Sequence, residues 1–233
     1  MPNWTEVLAE IQAYRTEHPL DAVRRKYLNK LSEHTGRNTI AYYSSWLGSA
    51  KLVPAHLIND DDKNGFITTI HGMDLSNGLD LILHTPGGDI AAVESLVDYL
   101  RRMFGCNIRA IVPQLAMSAG TMMACSCETI IMGKQSNLGP IDPQINGIPA
   151  KGVIAEFKKA TEEIKKDPAS IPLWQSIIGK YHPTFLGSCQ KAVKWSEEIM
   201  KEWLKTGMLK DEDNCFSNSR THRSMPYRAR IQL

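Results

Sequence analysis

Apolar side chains recur at helical spacing at the start of the chain. Trp4, Leu8, Ile11 and Tyr14 share one face over residues 4–16, and Val23, Tyr27 and Leu31 share one over 21–33. The pattern then changes period. Asn38–Leu47 (NTIAYYSSWL) is dense in β-branched and aromatic residues and predicts a first strand. Leu79–Leu83, Asn107–Pro113 and Thr129–Gly133 are short, nearly continuous apolar runs, as a strand covered by helices on both faces shows. Between them, Asp89 is placed to cap a helix carrying Val93, Leu96, Val97, Leu100, Met103 and Phe104 on one stripe, and Ser118–Ser126 predicts a short helix of small residues. The repeating unit is strand, turn, helix, which predicts an α/β fold with a parallel sheet.

Asp60, Asp61 and Asp62 interrupt the apolar pattern and predict a solvated turn ahead of a helix over 64–75. Ser136–Gly147 reads as a loop at the sheet's carboxyl edge, and Gly152–Lys166 as a helix with Val153, Ile154 and Phe157 inward. Prolines break 167–183. From Ser188 to Thr206, Ala192, Trp195, Ile199 and Trp203 form the stripe of a long amphipathic helix that Gly207 stops. The organisation expected is an N-terminal helical extension (1–35), an α/β core (36–160), a C-terminal helical segment (161–210) and a mobile basic tail (211–233). That tail carries Arg220, Arg223, Arg228, Arg230 and His222, and reads as solvated chain with docking to an anionic surface as the alternative.

Composition narrows the function. The 233 residues are 42% hydrophobic, enough for a sizeable core, and the formal net charge of +2 gives no electrostatic reason for a nucleic-acid partner. No apolar run is long enough to span a membrane, and MPNWTEVLAE lacks the pattern of a signal peptide, so a cytoplasmic protein is expected. The five cysteines are odd in number. Cys125 and Cys127 are too close on one predicted helix to bridge each other, and Cys106, Cys189 and Cys215 follow no zinc-ligand spacing, so free thiols and no metal are expected.

Candidate chemistry concentrates in two turns at strand ends. Pro86–Gly87–Gly88 fixes one backbone angle and frees the next two, letting an N–H approach a substrate and stabilise an oxyanion; a plain strand-to-helix turn is the alternative. Ser118 stands among Ala116, Met117, Ala119 and Gly120, where its hydroxyl is either a helix N-cap or an accessible nucleophile. No strand precedes a Gly-x-Gly-x-x-Gly run, so no nicotinamide cofactor is expected, nor any other.

The runs LHTPGGD, AMSAGTMMA and SNLGPIDPQ resemble the serine-peptidase branch of the Clp protease/crotonase superfamily, most closely the signal-peptide-peptidase-like group called serine dehydrogenase proteinases. The likeness runs from about Thr39 to Phe157, more loosely through the Trp195 helix. It implies a spiral of βαβ units, assembly into rings or trimer-based homo-oligomers, and a peptide or protein substrate. It also implies Ser118 as nucleophile and the amides of Gly88 and Ala119 as the oxyanion hole, with Gly87 and Asp142 expected against the substrate.

The general base is the open position. The Clp branch uses a histidine about one strand after the serine, but no histidine lies between Ser118 and His182. The signal-peptide-peptidase branch uses a lysine whose pKa burial lowers. Lys134, Lys151, Lys158 and Lys159 fall in a suitable interval, and Lys151 is preferred because it follows GPIDPQINGIPA, where the chain should return to the crevice. His182 and His222 would need the C-terminal segment, or a neighbouring subunit, folded over the site. Asp142 either orients a base, binds substrate or caps a turn, and His84 either lines the crevice or packs locally. Two further functions keep the same fold: an acyl-CoA enzyme of crotonase type and a non-catalytic scaffold.

Overall fold

The computed structural model describes residues 3–210 and, in backbone, Ile231 and Gln232. The chain runs through α1 (Trp4–Ala13), α2 (Pro19–Thr35), β1 (Asn38–Tyr43), α3 (Asp60–Ile70), β2 (Leu79–His84), α4 (Ile90–Phe104), β3 (Ile108–Val112), β4 (Leu115–Ala116) and α5 (Ala119–Cys125). It continues with β5 (Thr129–Met132), β6 (Asn137–Leu138), β7 (Gln144–Ile145), β8 (Ile148–Pro149), α6 (Ala150–Lys166), α7 (Ile171–Ile178), α8 (Phe185–Thr206) and β9 (Ile231–Gln232).

The main sheet has the order β1-β2-β3-β5-β9, and every pair in it is parallel. Alternation decides which side is core. Leu79, Leu81 and Leu83 of β2 and Ile108, Ala110 and Val112 of β3 are buried and join Val93, Leu96, Val97 and Leu100 of α4 and Met122 and Met123 of α5 in one cluster. The α4 stripe is therefore the one its spacing predicts. A satellite core of Ala150, Val153 and Cys189, with Phe157, Tyr181 and Phe185 against it, joins α6 to α8.

Several boundaries differ from the sequence expectation. β1 ends at Tyr43, and Trp46–Gly48 forms a 3-10 turn in place of its last residues. The three aspartates form the first turn of α3, Asp60 and Asp61 exposed as expected: Asn59 Oδ1 accepts from Asp61 N–H (2.9 Å) and Asp62 Oδ2 from Asn59 N–H (2.9 Å), a reciprocal cap. The helix consequently starts and ends earlier than 64–75. β6 and the start of a hairpin, β7–β8, occupy the predicted loop, and α7 forms inside the proline-broken stretch because Pro172 sits in its first turn. α1 keeps the predicted face but buries none of it, and Trp4 is 74% exposed. Of the tail, Ile231–Gln232 pairs with Ile130–Ile131; the remainder, His222 and the four arginines included, lies outside the described residues.

One buried charge, Asp80, and one half-buried charge, Arg101, brace the frame. Asp80, 0% exposed, receives Arg37 Nε (2.7 Å) and Arg109 Nε and Nη2 (both 2.7 Å). Arg101 of α4 donates to the carbonyls of Ser126 (2.6 Å) and Trp203 (3.0 Å) and to Thr206 Oγ1 (2.8 Å), tying the end of α8 to the core. No described helix is long and apolar enough to cross a membrane.

Candidate active site

β2 and β3 end side by side, and the chain bends sharply after each. Thr85, 0% exposed, pins the bends together: its N–H donates to the Leu115 carbonyl (3.1 Å), and its carbonyl accepts from Met117 N–H (3.0 Å). Its hydroxyl also accepts from Gly87 N–H (3.1 Å), a turn that a short hydroxylated side chain makes with its own backbone two residues on. Gly87 adopts φ 100°, a conformation open to glycine. A β-carbon there would stand 2.7 Å from the Met117 carbonyl oxygen, 2.9 Å from Ser118 Cβ and 3.1 Å from Ala119 N. The two turns are thus in contact, and glycine is what lets them touch.

Ser118 has φ 51° and ψ −117°, one of two described non-glycine residues with positive φ, the other being hairpin Asn146. It stands at the N-cap of α5 but makes no side-chain capping bond. Its hydroxyl, half-buried, has no hydrogen-bond partner among the described residues. The capping role is therefore not what holds this serine here. Strain of this kind persists only where surrounding structure imposes it, and it clusters at functional sites. The surroundings do impose it: Gly120 N–H donates to the Met117 carbonyl (2.8 Å), and a β-carbon on Gly120 would lie 2.5 Å from Thr85 Cγ2.

Ile58 brackets Gly88 from the far side. Its N–H donates to the Gly87 carbonyl (2.9 Å), its carbonyl accepts from Asp89 N–H (2.9 Å), and a β-carbon on Gly88 would meet its backbone at 2.3 Å. Gly87 thus spends both its N–H and its carbonyl inside the protein. The N–H groups of Gly88 and Ala119, by contrast, have no acceptor among the described residues. Asp89 caps α4 through Ala92 N–H (3.0 Å), as its sequence position predicts.

The base candidates are distributed as follows. Lys151 is the second residue of α6, is exposed, and its ammonium has no hydrogen-bond or ion-pair partner among the described residues. Its backbone N–H donates to Asp142 Oδ1 (3.3 Å), which with the bond from Ala150 N–H to the Pro143 carbonyl (2.8 Å) links the Ser136–Pro143 segment to α6. The burial expected of this amine is not found among the described residues. Lys134 and Lys158 are exposed, and Lys159 pairs with Glu163 (3.8 Å) over the Trp174 ring. His182 bonds Thr184 locally on an exposed turn. His84 stacks on Trp46 with its Nδ1 buried and unpartnered among the described residues, and burial lowers its pKa.

Sequence reasoning missed Thr85, Ile58 and Gly120. Thr85 was legible as a hydroxyl residue two positions before a glycine. Ile58 was not, because nothing local ties it to Gly88. Burial pushes the Cys125 thiol up to about 11 and the Cys127 thiol up to about 12, so neither is a ready nucleophile. Among the described residues no group of three or more His, Cys, Asp or Glu could hold a metal ion.

A parallel sheet, a glycine turn and a strained serine turn meeting at the strand ends define a protein of ClpP-like architecture. The chain belongs to the ClpP-like SDH-type serine proteinase family, whose model matches residues 11–221. It is similar to two uncharacterized proteins of Methanocaldococcus jannaschii. One, MJ0137, is 31% identical over 152 residues, covering 64% of this chain and 51% of the relative. The other, MJ1495, is 31% identical over 127 residues, covering 54% and 38%. The chain thus spans about half or less of the length of these curated relatives. The family is one of serine proteinases, hydrolases of the peptidase type.

Proposed function

We propose that this protein is a serine endopeptidase with Ser118 as its nucleophile. The observation that carries the reading is the contact between the Gly87 turn and Ser118, whose backbone is strained and whose hydroxyl has no partner among the described residues; the N–H groups of the next residue along each turn, Gly88 and Ala119, have no acceptor there either, which supports the reading. Ser118 Oγ attacks a peptide carbonyl as its proton passes to a neutral amine, for which Lys151 is the candidate. Negative charge gathers on the former carbonyl oxygen, where the Gly88 and Ala119 amides hold it without reorganising. The protonated amine then returns its proton to the departing nitrogen, and water repeats the sequence on the acyl-enzyme.

Gly87 serves by closeness, since its own polar groups are used internally, and Asp142 keeps one carboxylate oxygen for the substrate backbone while the other holds the start of α6. Because Lys151 is exposed among the described residues, the cover over it comes from bound substrate or from a neighbouring subunit in a ring or trimer-based homo-oligomer. The reaction needs no cofactor, and the setting proposed is the cytoplasm. Casein and fluorogenic peptides test the reading: wild type cleaves them and Ser118→Ala does not. Equal rates for the two would end it.

A further inference from the structure

β1 closes one side of the sheet, and its outer edge has no strand partner among the described residues. Ser44 N–H donates to the His84 carbonyl (2.9 Å). In a parallel ladder this phase turns the backbone groups of the even-numbered residues of β1 toward β2 and those of Thr39, Ala41 and Tyr43 outward. Folded proteins usually blunt such an edge with charge, proline, a bulge or a cover. Here the edge opens into a groove of about 870 Å³ that runs between Ala41 and Tyr42 on one side and α3 on the other.

Gly65, on the α3 wall, is the informative residue. An interior helical glycine is destabilising relative to other residues. Its φ is ordinary and an added β-carbon would meet nothing within 4 Å, so neither backbone nor packing requires it. What the missing side chain preserves is room in the groove. The charge at the mouth has one sign. Asp62 is committed to Tyr42 and Asn59, but the exposed carboxylates of Asp60 and Asp61 have no hydrogen-bond or ion-pair partner among the described residues.

We propose that this groove binds an extended peptide segment rich in lysine or arginine, added as a strand on the outward N–H and carbonyl of Ala41, with its basic side chains against Asp60 and Asp61. Backbone pairing supplies affinity and the two carboxylates supply selectivity. The site is separate from the Ser118 turn and does not depend on the chemistry there.

Fluorescence anisotropy with full-length Ser118→Ala protein, which leaves a peptide intact, tests this. The probes are labelled ten-residue peptides alternating valine with lysine or valine with glutamate. The lysine peptide is expected to bind saturably and at least about tenfold more tightly than the glutamate peptide, with affinity falling as salt rises. Gly65→Leu should abolish binding while maintaining or raising the thermal midpoint, and Asp60→Asn with Asp61→Asn should weaken it and flatten the salt dependence. Equal binding of both peptides, no binding of either, or unaltered binding by Gly65→Leu overturns the proposal. A fall in sedimenting mass of Gly65→Leu would likewise overturn it, and would assign the groove to a second copy of the chain.

Discussion

Gly87 lies so close to Ser118 that a β-carbon on the glycine would stand 2.9 Å from that of the serine. The left-handed φ of 100° compounds the crowding. Gly87→Ala should therefore destabilise the protein by about 1–3 kcal/mol and push the two turns apart. A displacement near 1 Å at a reacting centre lowers rates by about a hundredfold, so kcat/KM should fall by that order. Urea denaturation and peptide hydrolysis measured together check both halves, and an unchanged kcat/KM would show that the contact has no part in catalysis.

The backbone of Ser118 makes an opposite prediction for stability. At φ 51° and ψ −117° a β-carbon is a burden, so Ser118→Gly should be more stable than Ser118→Ala by about 1 kcal/mol, though both lose activity. Chemical denaturation of the pair reads this directly. If alanine proves the more stable, the serine turn is not strained and the nucleophile loses its main structural mark.

Lysine substitutions separate a base from a surface charge. Lys151→Met should lower kcat by about 10²–10⁴-fold, the range for losing a general base. Lys159→Met, which removes an exposed ion pair with Glu163, should leave kcat unchanged. The reverse pattern would move the base to α6's third turn and away from Asp142.

Asp80 sets an acid limit on folding. Burial alone would raise its pKa, but the hydrogen bonds and charges of Arg109 and Arg37 outweigh that and hold it below its ordinary value. A lowered folded-state pKa contributes stability that is present above the unfolded value, about 3.9, and is lost as pH falls through the folded one. Asp80→Asn should remove that dependence and, by leaving two guanidinium groups beside a neutral partner, cost about 3–5 kcal/mol near neutral pH. Thermal melts from pH 7 downward distinguish the two: the wild-type curve should bend in acid where the variant's does not.

The sheet was readable because its strands announce themselves. Leu79–Leu83 and Ile108–Val112 are apolar but for one charged residue each, Asp80 and Arg109, and five of the six predicted α4 stripe residues are buried, Met103 being partly so. Local chemistry failed where side chains had two uses. The aspartate run looked solvated because charge usually is, but Asn59 and Asp62 stand at the spacing of a reciprocal cap and Tyr42 donates to Asp62 (2.9 Å). The Gly88 and Ser118 turns were legible as a pair of candidates, and their contact was not, since it is made by Thr85 and Gly87 across a gap that no periodicity records. Lys151 marks the boundary of what one chain can tell: a residue's position in sequence says nothing of what will cover it.

One guanidinium, that of Arg101, holds acceptors from Ser126, Trp203 and Thr206 at once. The terminus of the longest helix is therefore not merely laid on the domain but bolted beside the far end of α5, the short helix that begins after Ser118. Whatever pulls on the segment beyond Thr206 acts on a fixed anchor, and force or docking there would reach the nucleophile's helix through this side chain and through the apolar packing of Ile199 and Trp203 in the shared core.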